Sequence, residues 1–234
     1  MTSFRHSAMF IAASLLCGGL MAGPGRAGQV GFGAFGGTFT VPVLSLKEAQ
    51  FHTVVRQERD YSCGSAALAT LLTYHYGHPI AEDVVFRAMF AVGDRAAIQK
   101  SGFSLADMQK YLATLGYHSD GYRVSLDRLA AAGVPAITLI NSKGYHHFVV
   151  IKGIKEGDVL VGDPAAGLRV IPRREFEAGW VGISFVIHDD LATGRRHFNQ
   201  AQDWMVRRKA PLSVALDRQG LATVTTMLPS IFVF

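Results

Sequence analysis

The stretch DYSCGSAALATLLTYHYG, residues 60–77, decides the reading of this chain. From Ser62 onward Ala67, Leu68, Leu71, Leu72 and His75 recur at helical spacing, and Gly77 followed by Pro79 supplies the stop. The helix opens with Cys63, the one cysteine outside the N-terminal apolar run that holds Cys17. A thiol in the first turn of a helix faces unsatisfied backbone N–H groups and the positive end of the helix dipole, which favour a thiolate. Gly64, Ser65, Ala66 and Ala67 are small and leave room around the sulfur. The plainer reading is a buried small hydrophobe, since free cysteine is among the most buried residue types. A lone cysteine at a helix start becomes a nucleophile only if the rest of the chain supplies a base.

The region before this helix bears on the thiol. Arg5 and His6 precede the apolar run AMFIAASLLCGGLMA, which leads into GPGRAGQ, and this order reads as a secretory signal ending at Ala27. The apolar run is short for a membrane span, so a retained anchor is the lesser reading. Cys17 follows Leu16 where a lipid-anchored signal would want a small residue. Removing residues 1–27 takes away Arg5 and Arg26 and lowers the formal charge from +5 to +3. That mild balance, with no stripe of interleaved basic and aromatic residues, gives no reason to expect nucleic acid as a partner. Export also sharpens the question of Cys63, because oxidising compartments favour paired cysteines.

Residues 28–51 read as a glycine-rich leader, GQVGFGAFGGTFT, and an extended approach to the domain; HTVVRQ, residues 52–57, reads as a short strand. Three further helices are expected over residues 81–92, 104–116 and 125–133. The second starts with Ser104 and Asp107 in the manner of a capping box, and the third runs from Ser125 to Gly133. GYHSDGYRV between them reads as extended. After Gly133 the period changes to that of strands: VPAITLIN, HHFVVIKGI, DVLVGDPA, LRVIPRREFEAGW and VGISFVIH. A helical half followed by a sheet half argues for an α+β fold with an antiparallel sheet, spanning residues 52–188. Residues 189–234 form a C-terminal extension in which RRHFNQAQDWMVRRK reads as one basic amphipathic helix.

The base for Cys63 is expected among the histidines. His75 and His78 lie at the far end of the Cys63 helix, about 20 Å away at 1.5 Å per residue. His118 falls in a connector, and His188 and His197 sit in or near the looser C-terminal part. His147 opens the strand HFVVIKGI, where it can be held rigidly over a cleft, while His146 points to the other face. Lys155, Glu156 and Gly157 suit a three-residue hairpin loop, which would place Val149 opposite Asp163. His147 and Asp163 would then be diagonal neighbours, about 7 to 8 Å apart. A two-residue loop without a bulge would put them on opposite faces. Gln57, six residues before Cys63, can offer its amide to an oxyanion beside the backbone N–H of Cys63, although taken alone a glutamine there is more often an ordinary polar residue at a strand end.

Together RQERDYSCGSAALATLLTYHYG, HHFVVIKGI and VGDPAAG resemble the bacteriocin-processing cysteine peptidases that cut double-glycine leaders, a papain-like group. The resemblance spans about residues 53–187. It implies a papain-like cysteine peptidase fold, Cys63 as nucleophile, His147 as general base and acid, Asp163 as its orienting partner and Gln57 as oxyanion donor. Many members are the first domain of a membrane exporter; this sequence shows no GxxxxGK[ST] phosphate-binding motif and no ATPase domain. It is most similar to stand-alone peptidases of functional-amyloid secretion systems, which implies a periplasmic thiol protease. Its substrate would be a protein or peptide with an extended Gly-rich segment, such as a functional-amyloid subunit or its outer-membrane exporter. Gly36 and Gly37 in the enzyme's own leader would offer a similar cut. No cofactor or metal is called for, since one cysteine and scattered histidines lack ligand spacing. A second reading is a non-cleaving module of the same fold that grips an exported partner by strand pairing. An acyl-transferring enzyme with the same triad is a third.

Overall fold

The computed structural model describes residues 28–34, 37–43, 46–142 and 144–207, and the expected signal at 1–27, Gly36 and the end of the C-terminal extension lie outside them. Two units are described separately. In the first, β1 (Gly28–Ala34) and β2 (Gly37–Val43) pair antiparallel from Gly28 opposite Val43 to Ala34 opposite Gly37, where an unpaired leader was expected.

The second unit begins with α1 (Leu46–Gln50) and then the segment HTVVRQ. This segment is not the expected strand. Its N–H groups go elsewhere: Val54 to the Phe51 carbonyl in a turn, Val55 to Thr70 Oγ1 at 2.9 Å, and Gln57 to the Pro164 carbonyl at 3.0 Å. With these donors committed to a turn, a helix side chain and a loop, the segment joins no ladder.

α2 (Cys63–His75) follows, and Cys63 through Leu72 are all buried. A helix buried all round must be approached from several sides, which explains its small residues. A Cβ on Gly64 would lie 3.0 Å from Phe103 Cβ and 3.1 Å from Met108 Cε. The space that small residues were expected to leave around the sulfur is thus partly used for packing. Leu68, Leu71 and Leu72 are fully buried, each contributing about 1.5–3 kcal/mol of transfer free energy.

Around α2 stand α3 (Glu82–Val92), α4 (Arg95–Ser101) and α5 (Leu105–Thr114). The capping box at Ser104 and Asp107 is formed in full. Helix α4 was not expected: only Ile98 is buried in it, so it shows no apolar periodicity, and its signal is the N-cap Asp94, which accepts from Ala96 and Ala97 N–H. After β3 (Ser119–Arg123), α6 (Leu126–Ala132) runs from its Ser125 N-cap to Gly133 in the left-handed conformation.

The remaining strands are β4 (Ala136–Ser142), β5 (Tyr145–Lys155), β6 (Asp158–Asp163), β7 (Gly167–Pro172) and β8 (Trp180–Ile187). With β3 they make one antiparallel sheet in the order β3-β8-β4-β5-β6-β7. Residues 173–179, expected to continue a strand, form α7 (Arg173–Gly179) behind Pro172, with Phe176 turned into the core.

One apolar cluster joins α2, α3 and α5 to one face of the sheet; a second, with Leu129, Val149, Ile151, Val161 and Phe176, covers the other. The expected α+β order, helices first and antiparallel strands after, is the order found. The single C-terminal helix is instead broken into α8 (Leu191–Arg196) and α9 (Ala201–Trp204), with Asn199 between them at φ +59°. Among the described residues no helix is long and apolar enough to cross a membrane.

Candidate active site

The start of α2 and the adjacent ends of β5 and β6 bring three predicted side chains together. His147 Nε2 lies 2.7 Å from Asp163 Oδ1, and the Cys63 sulfur is close enough for its charge to act on the ring. All three residues are buried. Asp163 Oδ1 also accepts from the N–H groups of Ala165 at 2.8 Å and Ala166 at 3.2 Å, in the turn after β6. Its Oδ2 lies 3.8 Å from the Arg169 guanidinium.

These contacts decide the charges. Burial works against the imidazolium of His147, but the hydrogen bond to Asp163 and the charges of Asp163 and Cys63 outweigh it, so its pKa rises from 6.5 to about 9. Burial likewise opposes the Asp163 carboxylate, but His147 and the two backbone N–H donors hold its pKa below the ordinary value.

The register at the site is the expected one, but it is reached by a different turn and a bulge. The loop has two residues, Glu156 and Gly157, both at positive φ, so Lys155 faces Asp158. A shift between Ile151 and Gly153 then inserts one extra residue, and above it Val150 faces Gly162. The two changes cancel. His147 comes out on the face of Asp163, and His146 is exposed and lines the neighbouring cleft.

Gln57 lies six residues before α2; its N–H donates to the Pro164 carbonyl, its Nε2 donates to the Arg59 carbonyl at 3.1 Å and its Oε1 is buried without a partner. The loop between them is closed on itself by Ser62 Oγ, which accepts from Arg59 N–H and donates to the Arg59 carbonyl. Buried Glu82 anchors this loop: its Oε1 accepts from Ser65 Oγ at 2.6 Å, and its Oε2 lies 3.8 Å from Arg59 Nη1.

Two residues at the site escaped the sequence reading. Tyr145 donates from its hydroxyl to the Asp60 carbonyl at 3.1 Å, tying β5 to the loop before α2, and lies near enough to Cys63 to feel its charge. Arg169 supports Asp163 from β7. The strand alternation that selected His147 also marks Tyr145 two residues earlier. Arg169 could be found only from the β6–β7 register.

A cleft of about 490 Å³ opens on Cys63 between the loop at Tyr61, the α4–α5 connection at Phe103 and Leu105, and the sheet at Leu139, Tyr145 and Phe148. Its walls are apolar and aromatic, suited to an extended peptide whose carbonyl is presented to the sulfur. Among the described residues no cluster of histidine, cysteine and carboxylate side chains could hold a metal ion.

Comparison with known proteins agrees with this chemistry. A probable functional amyloid protease, FapD, of Pseudomonas aeruginosa is 40% identical over 69% of this chain and 73% of its own length. The protein of the same name in Pseudomonas fluorescens is 37% identical over 72% and 75%. A crystal structure of a double glycine motif protease from an AMS/PCAT transporter, in complex with its leader peptide, aligns with a TM-score of 0.48 at 27% identity, over 57% of this chain and 89% of that one. The Peptidase C39 family model matches residues 52–191. That match takes in more than half of the sequence and every element that carries the site, so the chain belongs to the peptidase C39 family and is a cysteine peptidase.

Proposed function

We propose that this peptidase works in the periplasm as an endopeptidase on a co-exported protein, cutting after small residues of the Gly-Gly type, with functional-amyloid subunits or their outer-membrane exporter as the substrate class. The observation that carries the mechanism is the His147 ring, held by Asp163 at 2.7 Å with the Cys63 sulfur near enough to act on its charge. The secretory signal read at residues 1–27 supports the compartment. The names of the two Pseudomonas relatives support the amyloid connection.

The chemistry follows from the geometry. The thiol proton already rests on His147, which keeps it up to about pH 9, when the Cys63 sulfur attacks the scissile carbonyl carbon, forming a C–S bond and a tetrahedral oxyanion. As the first residue of α2, Cys63 has a backbone N–H with no acceptor in its helix, and it points at the developing charge. Gln57 is the second donor: one Nε2 hydrogen is engaged by Arg59, and the other is left for the oxyanion. The C–N bond then breaks, and the His147 proton passes to the leaving amine. Water activated by the same ring cleaves the thioester and restores the thiol. Asp163 keeps the ring oriented and its positive charge compensated throughout.

The test is Cys63→Ala, made both in purified protein and in the producing cell. Cleavage of co-exported proteins should fall by at least about 10³-fold, and uncut forms should accumulate in the periplasm. If co-exported proteins have the same lengths in wild-type and Cys63→Ala cells, the proposal fails.

A further inference from the structure

The face on which His147 emerges is decided at Lys152, the extra residue in β5. On the turn side of it the partners are Gly153–Leu160, Ile154–Val159 and Lys155–Asp158; on the site side they are Ile151–Val161 and Val150–Gly162. Side chains alternate along a strand, so one extra residue reverses the parity of everything beyond it. Ile154 below the bulge and Val149 and Ile151 above it accordingly pack in one cluster with Val159 and Val161. Had the turn-side register continued, Asp163 would face Val150, and His146 would be the histidine on its face. The bulge selects which of two adjacent histidines meets the carboxylate.

The bulge does not stand alone. It is held from outside, by the C-terminal segment. Asn199 N–H donates to the Lys152 carbonyl at 2.9 Å, its Oδ1 accepts from Ile154 N–H at 2.9 Å, and its Nδ2 donates to the Ile154 carbonyl at 3.2 Å. A Cβ on residue 153 would lie 2.3 Å from that Oδ1, so glycine stands there. Lys152 is 1% exposed; its ammonium is 2.9 Å from Asp203 Oδ2, donates to the Thr53 carbonyl at 2.7 Å, and lies over the Tyr74 ring. Asp203 in turn accepts from Thr53 Oγ1 at 2.8 Å. A buried ammonium with these partners fixes one orientation of the bulged residue.

We infer that Asn199, backed by the Lys152–Asp203 ion pair, is a positioning residue for His147, so that residues 197–204, beyond the family-matched 52–191, belong to the working peptidase. The inference rests on the assignment of His147 and Asp163 given above. Asn199 touches neither of them and acts through the bulge.

The experiment is Asn199→Gly in the full chain. Glycine accepts the left-handed backbone and keeps the N–H to Lys152, so only the two side-chain bonds to Ile154 are lost. The expected result is a kcat lower by about tenfold to a hundredfold at unchanged KM, an alkaline limb shifted below its wild-type position near pH 9, and loss of the downfield imidazole N–H resonance of the His147–Asp163 bond. Asn199→Asp, which keeps the acceptor for Ile154 N–H, should recover part of each. A folded Asn199→Gly with an unmoved limb and an intact resonance overturns the inference. If that variant does not fold, Asp203→Asn decides, because it loosens Lys152 while leaving Asn199 in place: a limb moved the same way supports the inference, and an unmoved limb refutes it. The resonance is read on resting enzyme, so a wild-type chain that shows it but cuts nothing sinks the proposed function and leaves the positioning role standing.

Discussion

His147 is the residue on which the chemistry turns, because it must hold a proton between attack and departure of the amine. Burial alone would strip that proton; Asp163 and Cys63 together keep it up to about pH 9. The sign for activity follows directly. Above the pKa the ring is neutral and has no proton for the leaving amine, so activity is lost as pH rises through about 9. Asp163→Asn removes the charge that supports the imidazolium but keeps an oxygen for the hydrogen bond. The alkaline limb of its pH–rate profile should slide from about 9 toward 6.5, and kcat should fall by on the order of 10² to 10⁴. A limb that stays near 9 in the variant would show that Asp163 is not what sustains the charge. Tyr145 works at the same scale from the other wall of the site, joining the strand that carries His147 to the loop that precedes Cys63.

Among the elements, the β5–β6 hairpin joins two separate devices, a turn and a bulge, and they should respond differently to mutation. Gly157 has φ +84° and open space where a Cβ would go, so Gly157→Ala meets only backbone strain. That strain should cost about 1–2 kcal/mol, or about 2 to 8 °C in Tm for a domain of this size. The bulge above it still sets the parity of His147, so kcat and the pH limb should hold. Reduced kcat with an unchanged Tm would contradict this division of labour. The division also explains what could be read in the sequence. Helices α2, α5 and α6 announce themselves through Cys63 to His75, Ser104 with Asp107, and Ser125 with Gly133, signals contained within one or two turns. The convergence of His147 and Asp163 and the register at the site were legible, since Val150 does face Gly162, but the two-residue turn and the bulge that produce that register were not, because the bulge is fixed by Asn199, 45 residues away from Ile154 in the chain. Residues 52–57 look like a strand for the same reason in reverse: their apolar content is local, whereas the acceptors that take their N–H groups, Thr70 and Pro164, are remote.

Across the whole domain, two buried histidines impose opposite pH dependences on stability. His147 lies beside the N-terminal end of α2, and His75 closes the C-terminal end, about 18 Å along the helix axis. His75 is 1% exposed and neither ring nitrogen has a partner. Burial first, then the positive charges of Lys152 and His197, push its pKa well below 6.5. The unfolded chain therefore takes up a proton near pH 6.5 that folded His75 refuses. Its contribution is whole above 6.5 and is lost as pH falls, by up to about 1.4 kcal/mol per pH unit. His147 has the reverse sign. Its folded pKa is raised, so its contribution is whole below 6.5 and fades as pH rises through about 9. Thermal stability should therefore peak near pH 6.5. His75→Leu, which needs no proton and no partner, should flatten the decline between pH 6.5 and 4.5, a window that lies above the titration of Asp163, whose pKa is held below 3.8. Asp163→Asn should flatten the decline on the alkaline side. Melting curves across pH 4.5 to 9.5 for the two variants and the parent separate these effects. A parent-like acid slope in a folded His75→Leu would mean that the load on acid stability is carried by other groups, and that α2 tolerates the charge at its far end.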